Sequence, residues 1–350
     1  MKKSDIIPTI QQKPKLWDHF TRKEEYNPSL TDQYERFPYY LSTYRDIFEP
    51  SVSRHLIQSG YKPEYPDGKK FAVCLTHDID GVYRSFFSKG YHIARSVYSR
   101  NFSEIKKNLR YLFNKKYSYY NFNVIMDLEE RYGATSSFYF LALVPGDQDY
   151  SYDIADLQDT LHSIRDRGWE VGLHGGHEAY DSYETICTEK KRLESVLGSP
   201  VTGYRNHYLH FRVPNTWEHL AKAGFLYDAT FGYADCAGFR NGMCHPFRPY
   251  NLKTDQEINI IELPLIVMDC TLFAAYMRLD APAAWTLIQR LIDTVADLRG
   301  VFTLLWHNTY LIEDSSELKL YEKILAYCQE RGAWMTSGDE IINWWITNNE

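Results

Sequence analysis

The stretch FAVCLTHDIDG (residues 71–81) is an apolar, β-prone run that ends abruptly at two carboxylates and a glycine. Side chains alternate along a strand with a period of two, so Asp78 and Asp80 are expected to share one side of its C-terminal end. Two neighbouring carboxylates repel each other unless a cation lies between them or one of them is protonated. The stretch therefore predicts a metal and general-base site at a strand end, where α/β enzymes carry their chemistry. The alternative is an Asx-type turn that closes the strand, with Gly81 providing the bend.

The composition limits the class of protein. The chain has 350 residues, enough for one large domain or two smaller ones, and its net charge of −7 argues against a nucleic-acid-binding protein. No run reaches the roughly eighteen apolar residues of a transmembrane helix, and no apolar segment follows Lys2 and Lys3 as in a secretory signal. The six cysteines include no Cys-x-x-Cys pair, which is typical of reduced thiols. We therefore expect a cytoplasmic protein with no nucleic-acid partner and no membrane span.

The pattern along the chain predicts an α/β fold. Residues 1–66 are polar, proline-dotted and rich in tyrosine, and we expect an N-terminal extension packed on the main domain. Residues 84–120 are basic and aromatic with apolar positions at helical spacing, which predicts a helical insertion or simply a solvated helical face. Predicted strands and helices alternate from residue 121 onward, as in a parallel sheet. The length of residues 67–350 fits a distorted (β/α) barrel better than an open sheet.

Residues that are capable of catalysis recur at the predicted strand ends. Besides the two aspartates of the first strand, they are His174, His177, Arg205, His207, Asp228 and His307. The C-terminal ends of barrel strands converge on one face, so residues far apart in the chain can meet there. A single histidine at a strand end is usually structural, but its recurrence at successive strand ends favours an active site.

The order and spacing of five short motifs resemble the polysaccharide deacetylases, the NodB-homology group of carbohydrate esterases. The resemblance covers about residues 70–345. The first motif is similar to a His-Asp-x-Asp variant of the family's pattern, and the second carries the metal-binding histidine of the family. The motifs are residues 76–80 (THDID), 170–175 (EVGLHG), 203–208 (GYRNHY), 227–230 (YDAT) and 304–308 (LLWHN).

The resemblance implies a (β/α) barrel of the polysaccharide deacetylase type and a metal-dependent hydrolase. Its reaction would remove an acyl group, most simply acetyl, from an N-acylated saccharide or glycan precursor. The resemblance assigns Asp78 as general base, Asp80 and His174 as metal ligands, Arg205 as the partner that orients the base, and His307 as general acid. A divalent metal lowers the pKa of bound water, and a histidine has a pKa suited to protonating an amine near neutrality.

The third metal ligand departs from the family pattern. The usual second motif is His-x-x-x-His, but Glu178 stands four residues after His174 and His177 stands three residues after it. His207 occupies the position where the third motif normally has proline. We favour His207 as third ligand, with His177 next and Glu178 as an oxygen ligand; the alternative is that both histidines merely line a cleft. A mixed set of histidines and carboxylates suits zinc without excluding other first-row metals.

Substrate contacts are predicted from residues near these motifs. The candidates are Tyr208, Asp228, Arg240 and Trp306. Arg240 could instead close a loop through a salt bridge, and the aromatic residues could simply pack. Asp269 follows an apolar run and could orient His307, as carboxylates do for catalytic histidines, or could cap a loop.

Two further functions compete with the saccharide deacetylase. One is an amide hydrolase that acts on a small non-sugar substrate, because a fold does not determine a substrate. The other is a non-catalytic, glycan-binding barrel with a degenerate metal site. The presence of both Asp78 and His307 argues against the second, since a binding protein needs neither a base nor an acid.

Overall fold

The computed structural model describes residues 5–83, 119–274 and 276–348. The predicted helical insertion lies outside these described residues, except for Tyr119 and Tyr120. Within the described ranges, no helix is both long enough and apolar enough to cross a membrane.

In the described part of the chain, nine strands form one curled sheet in which neighbouring strands are parallel. They are β1 Phe71–Ile79, β2 Ser137–Leu141, β3 Glu170–Gly175, β4 Gly203–Asn206, β5 Tyr227–Asp228, β8 Ile261–Glu262, β9 Leu265–Met268, β10 Val301–Leu305 and β11 Ala333–Thr336, while β6 Tyr250–Asn251 and β7 Gln256–Glu257 form a separate antiparallel hairpin. The order is β8-β5-β4-β3-β2-β1-β10-β9, and β11 also pairs with β1. Strand β1 is buried along its whole length, as expected for a parallel strand that is covered on both faces.

Most of the helices connect successive strands, but the first three precede β1 and the last follows β11. They are α1 Ile6–Gln11, α2 Pro14–Phe20, α3 Ser51–Gln58, α4 Phe122–Arg131, α5 Gln158–Asp166, α6 Tyr183–Leu197, α7 Asn215–Lys222, α8 Asp269–Phe273, α9 Ala281–Asp297, α10 Ser316–Glu330 and α11 Gly338–Thr347. Helix α6 shows the local cause of its limits. The side chain of Ser182 accepts a hydrogen bond from the amide of Thr185, and Gly198 ends the helix in the left-handed conformation with φ 74°.

The N-terminal residues are folded against the strands and loops of the sheet. Buried Arg22 donates to the carbonyl of Arg240 at 2.8 Å, and Arg240 in turn forms an ion pair with Glu25 at 2.5 Å. The amide of Cys244 donates to the hydroxyl of Ser53 on α3 at 2.8 Å. The boundary between this extension and the barrel, set at residues 66 and 67, stays a prediction.

Candidate active site

A cavity of about 260 Å³ opens at the C-terminal ends of β1, β4, β9 and β10. Asp78, Asp80, His207 and His307 line it together. Parallel strands deliver their C-terminal residues to one edge of the sheet, which is why four residues spread over most of the chain meet here.

Asp80, His174 and His207 form a group that could hold a metal ion, with one ligand atom from each residue lying within 4.8 Å of the others. The Nε2 atom of His174 is 3.2 Å from Oδ1 of Asp80, and Nε2 of His207 is 3.7 Å from the same oxygen. The Nδ1–H of His174 donates to the carbonyl of Arg205 at 3.0 Å, which leaves the Nε2 lone pair directed at Asp80.

The unpaired atoms of this group fit a divalent metal. Oδ1 of Asp80 and Nε2 of His174 are buried and have no hydrogen-bond partner among the residues that the structure describes. Buried polar atoms are nearly always paired, so two such atoms facing each other fit a cation held between them. One carboxylate and two imidazoles also match the three protein ligands of hydrolytic zinc sites, which keep a fourth position open.

His177 and Glu178 lie outside this group. Nδ1 of His177 is 3.5 Å from Oδ2 of Asp149, and Glu178 directs its carboxylate to solvent with 76% of its side chain exposed. The geometry therefore places His207 beside Asp80 and His174, while the assignment of ligands remains a prediction.

Asp78 lies next to this candidate ligand group, on the side of Arg205. Oδ2 of Asp78 is 3.7 Å from Nε2 of His174, and Nη1 of Arg205 is 3.9 Å from Oδ1 of Asp78. Arg205 is fully buried, donates to Oγ1 of Thr76 at 3.0 Å, and lies over the ring of Tyr139. This arrangement places a buried cation beside the predicted base.

His307 is held by Asp269 on the opposite side of the cavity. Its Nδ1–H and its backbone N–H donate to the two carboxylate oxygens of Asp269 at 2.6 and 2.7 Å. Nε2 of His307 is left facing Asp80, 3.6 Å from Oδ2. Burial lowers the pKa of His307, but the negative charges of Asp269 and Asp80 outweigh this effect and raise the pKa to about 10. The imidazole is therefore protonated near neutrality.

The charges of the cluster reinforce one another. Burial opposes the ionised form of Asp80, but the neighbouring His307 and His207 hold its pKa well below its usual range. Burial likewise lowers the pKa of His207, but Asp80 raises it to about 9. A carboxylate surrounded by imidazoles is thus the dominant electrostatic feature of the cavity floor.

Asp149 is a residue of this site that the sequence analysis missed. Its Oδ2 atom is 3.5 Å from Nδ1 of both His177 and His207, and its Oδ1 accepts a hydrogen bond from the hydroxyl of Tyr208 at 3.4 Å. It therefore faces the ring nitrogen of His207 that points away from Asp80. Its position in the loop after β2, at the same edge of the sheet as the other site residues, is the one signal that could have indicated it.

Of the predicted substrate-binding residues, the structure brings Tyr208 to the cavity and leaves three outside its lining. Arg240 is buried and forms an ion pair with Glu25, which agrees with the alternative that it closes a loop through a salt bridge. Trp306 is buried against Phe273 and Tyr321, because side chains alternate along the chain and its neighbour His307 takes the cavity side.

The third such residue, Asp228, is also fully buried. It accepts a hydrogen bond from the hydroxyl of Thr230 at 2.5 Å. In place of these three residues the cavity is lined by Tyr34, Arg36, Tyr276 and Tyr310. No chemistry was predicted for Tyr34 and Arg36, because their segment has no strand or helix pattern.

Comparison with known proteins shows the fold. No protein-family profile and no curated protein matches the sequence. Among solved structures, a protein from Mycobacterium smegmatis assigned as a polysaccharide deacetylase is 17% identical with a TM-score of 0.55, covering 80% of this chain and 92% of that one. One from Pseudomonas aeruginosa PAO1 with the same assignment is 14% identical with a TM-score of 0.56, covering 83% and 96%. The allantoinase PuuE is 13% identical with a TM-score of 0.58, covering 89% and 100%. The predicted (β/α) barrel of the polysaccharide deacetylase type is confirmed.

Proposed function

We propose that this protein is a metal-dependent hydrolase that removes an acyl group, most simply acetyl, from an N-acylated saccharide or glycan precursor. One observation carries the proposal: Asp80, His174 and His207 gather around one point beside Asp78 and His307. A ligand group, a carboxylate and a protonated imidazole are the parts that amide hydrolysis needs.

Asp80, His174 and His207 would hold the metal, most simply zinc. A bound divalent metal would polarise the acyl carbonyl and lower the pKa of water at the site. Asp78 would accept the proton of the attacking water as its oxygen joins the acyl carbon. Arg205, whose Nη1 is 3.9 Å from Oδ1 of Asp78, would restrain the orientation of this base.

His307 would complete the reaction as general acid. Its Nδ1–H is held by Asp269, so the proton on Nε2 faces the cavity. That proton would pass to the amide nitrogen as the carbon–nitrogen bond breaks, and the products would be a free amine and a carboxylic acid. Asp269, which faces Nδ1, raises the pKa of His307 and would help to keep this acid protonated before the reaction.

The walls of the cavity favour a saccharide. Tyr34, Tyr208, Tyr276 and Tyr310 line it together with Met268. A sugar ring presents apolar faces and hydroxyl edges, and phenol rings can contact both. The second candidate is a small non-sugar amide, because the allantoinase PuuE shares the fold at a TM-score of 0.58. We propose a cytoplasmic location for the protein with either substrate.

The test combines metal content with product analysis. We expect about one metal per chain in the wild type, and loss of metal in Asp80→Ala, His174→Ala and His207→Ala but not in His177→Ala. Asp78→Asn should retain the metal while its kcat falls by roughly 10²- to 10⁴-fold, since only the base is removed.

Mass analysis of products from a panel of N-acetylated sugars and small amides separates the two candidate substrates. A wild-type protein that binds no metal even after reconstitution with zinc would refute the hydrolase. A metal-loaded protein for which Asp78→Asn is as active as the wild type would refute the assignment of the base.

A further inference from the structure

We infer that residues 34–36 of the N-terminal extension are a positioning part of the candidate active site, because they hold the loop that carries His207 and form one wall of the cavity. The inference rests on the proposed function, since it concerns the same site. It gives the extension a role in binding the metal and the substrate, beyond packing.

The wall is formed by residues from distant parts of the chain. Tyr34 and Arg36 line the cavity with Tyr208 and Tyr276. The rings of Tyr34 and Tyr208 are stacked with centroids 5.2 Å apart and an interplanar angle of 12°. Removing this segment would therefore open one side of the cavity and uncover the ring of Tyr208.

Arg36 connects this wall to the loop behind His207. Its Nη1–H donates to the backbone carbonyl of Tyr208 at 2.6 Å, and its Nη2–H donates to the hydroxyl of Tyr276 at 2.6 Å. Its Nε–H donates to Asp32 at 2.8 Å, which orients the guanidinium. A rigid, planar fork of donors is suited to fixing three groups at once.

The loop that Arg36 holds has a strained backbone. Tyr208 and Leu209 have φ angles of 58° and 54°, so two successive residues with side chains adopt the left-handed conformation. Such conformations persist only where the surroundings enforce them, and they cluster at functional sites. His207 directly precedes them, so relaxation of this backbone would move its Nε2 atom away from Asp80.

The charge of Arg36 is already balanced within the protein. The guanidinium is 2.7 Å from the carboxylate of Asp32, and the side chain of Arg36 is only 7% exposed. An arginine that recruits an anionic substrate would keep its charge unpaired and accessible. The geometry therefore favours a positioning role for Arg36.

Attachment of the extension does not depend on Arg36. The Arg22–Glu25–Arg240 network and the contact of Ser53 with Cys244 hold the extension against the barrel away from the cavity. Replacing Arg36 should therefore release the loop after His207 without detaching the extension.

The test compares Arg36→Ala and Arg36→Lys with the wild type in two measurements. Hydrogen–deuterium exchange reports on the amides of residues 207–210, and competition with a chelator gives the affinity for zinc. We expect faster exchange in this loop for both variants, and at least about tenfold weaker zinc binding, the lower end for lost supporting contacts at metal sites. Lysine keeps the charge but cannot reach all three partners, so it should resemble alanine.

The matched control is Arg54→Ala. Arg54 also lies in the extension and also forms an ion pair, with Glu49, but it lies on α3 and does not line the cavity. It should change neither the exchange of the loop nor the affinity for zinc. If Arg36→Ala does not fold, Tyr276→Phe removes one acceptor of Arg36 from a side chain that is 38% exposed, and should give the same changes to a smaller extent.

The outcomes separate this inference from the proposed function. Unchanged exchange in residues 207–210 of the folded Arg36 variants would overturn the inference whether or not zinc binds. Faster exchange with unchanged zinc affinity would overturn the positioning of His207. Absence of zinc binding in the wild type would overturn the proposed function, while the exchange measurement would still decide whether Arg36 holds the loop.

Discussion

Two carboxylates beside the candidate site contact imidazole nitrogens that point away from its centre. Asp269 accepts a hydrogen bond from Nδ1 of His307 at 2.6 Å, and Oδ2 of Asp149 lies 3.5 Å from Nδ1 of His207. Carboxylates in such positions determine which ring nitrogen carries the proton and hold the ring in place. The sequence analysis weighed the first of these roles from a nearby apolar run, but Asp149 had no comparable signal.

We predict that Asp149→Ala weakens zinc binding by roughly 10- to 100-fold, because His207 loses the carboxylate that faces its Nδ1 atom. Competition with a chelator of known affinity measures this change. Asp149→Asn should lie between the alanine variant and the wild type, since its amide oxygen can still face Nδ1 of His207 but carries no charge.

Glu178→Ala is the matched control for Asp149, because Glu178 is also a carboxylate near His177 but directs its side chain to solvent. It should leave zinc binding unchanged. A loss of affinity in Glu178→Ala equal to that in Asp149→Ala would contradict the geometry and restore Glu178 as a candidate ligand.

Strand β1 is held to the helices by a buried hub at Glu129 of α4. Its carboxylate contacts Nε2 of His77 at 2.8 Å and accepts hydrogen bonds from Ser136, Trp169 and Tyr321 at 2.8, 2.6 and 2.6 Å. The histidine that precedes Asp78 is therefore a core residue that ties β1 to α4 and α10. The hub holds the backbone next to the predicted base.

We predict that Glu129→Gln lowers the free energy of unfolding by roughly 2–4 kcal/mol, because an amide cannot accept from all of these buried donors. Urea denaturation measures the change. Glu130→Gln is the control: this neighbour is 69% exposed and forms a surface ion pair with Arg167, so its change should stay within about 0.5 kcal/mol. Equal stability of the two variants would show that the hub contributes little.

How well a helix can be predicted from the sequence depends on its length and on the residues that mark its ends. Helices α6 and α10 carry end signals that the sequence alone shows, because a serine N-cap precedes each of them and Gly198 follows α6. Helices α1, α2 and α3 were not predicted, since six to eight residues give too little periodicity. Their positions depend on the barrel surface on which they pack.

At the scale of the whole molecule, buried His245 connects the N-terminal extension to the barrel. Its Nδ1 atom is 2.8 Å from the hydroxyl of Ser53 on α3, and its Nε2 atom is 3.1 Å from the carbonyl of Leu298. Burial lowers its pKa from 6.5 to about 4, although the neighbouring backbone carbonyls oppose the shift. The folded protein therefore keeps this imidazole neutral under mildly acidic conditions.

This lowered pKa predicts a pH-dependent contribution to stability. Above pH 6.5 the imidazole is neutral in both states, and its contribution is fully present. As the pH falls from 6.5 towards 4, the unfolded chain takes up a proton that the folded protein does not, so stability is lost, by about 3 kcal/mol in total.

Urea unfolding of the wild type and of His245→Asn between pH 7.5 and pH 5 tests this prediction. The effects of other titrating groups largely cancel in the difference between the two proteins. That difference should be largest at pH 7.5 and should narrow towards pH 5. A difference that stays constant over this range would mean that His245 has no lowered pKa.

Local signals in the sequence were sufficient for the succession of strands and helices, for the barrel, and for the pair Asp78 and Asp80 at the end of β1. Periodicity, capping residues and glycines act over a few neighbouring residues, so they can be identified without a structure. The sequence favoured His207 over His177 as third ligand, but the distance of His207 from Asp80, its contact with Asp149, and the entry of Arg36 into the cavity wall depended on folding. They join residues far apart in the chain, and packing sets those distances.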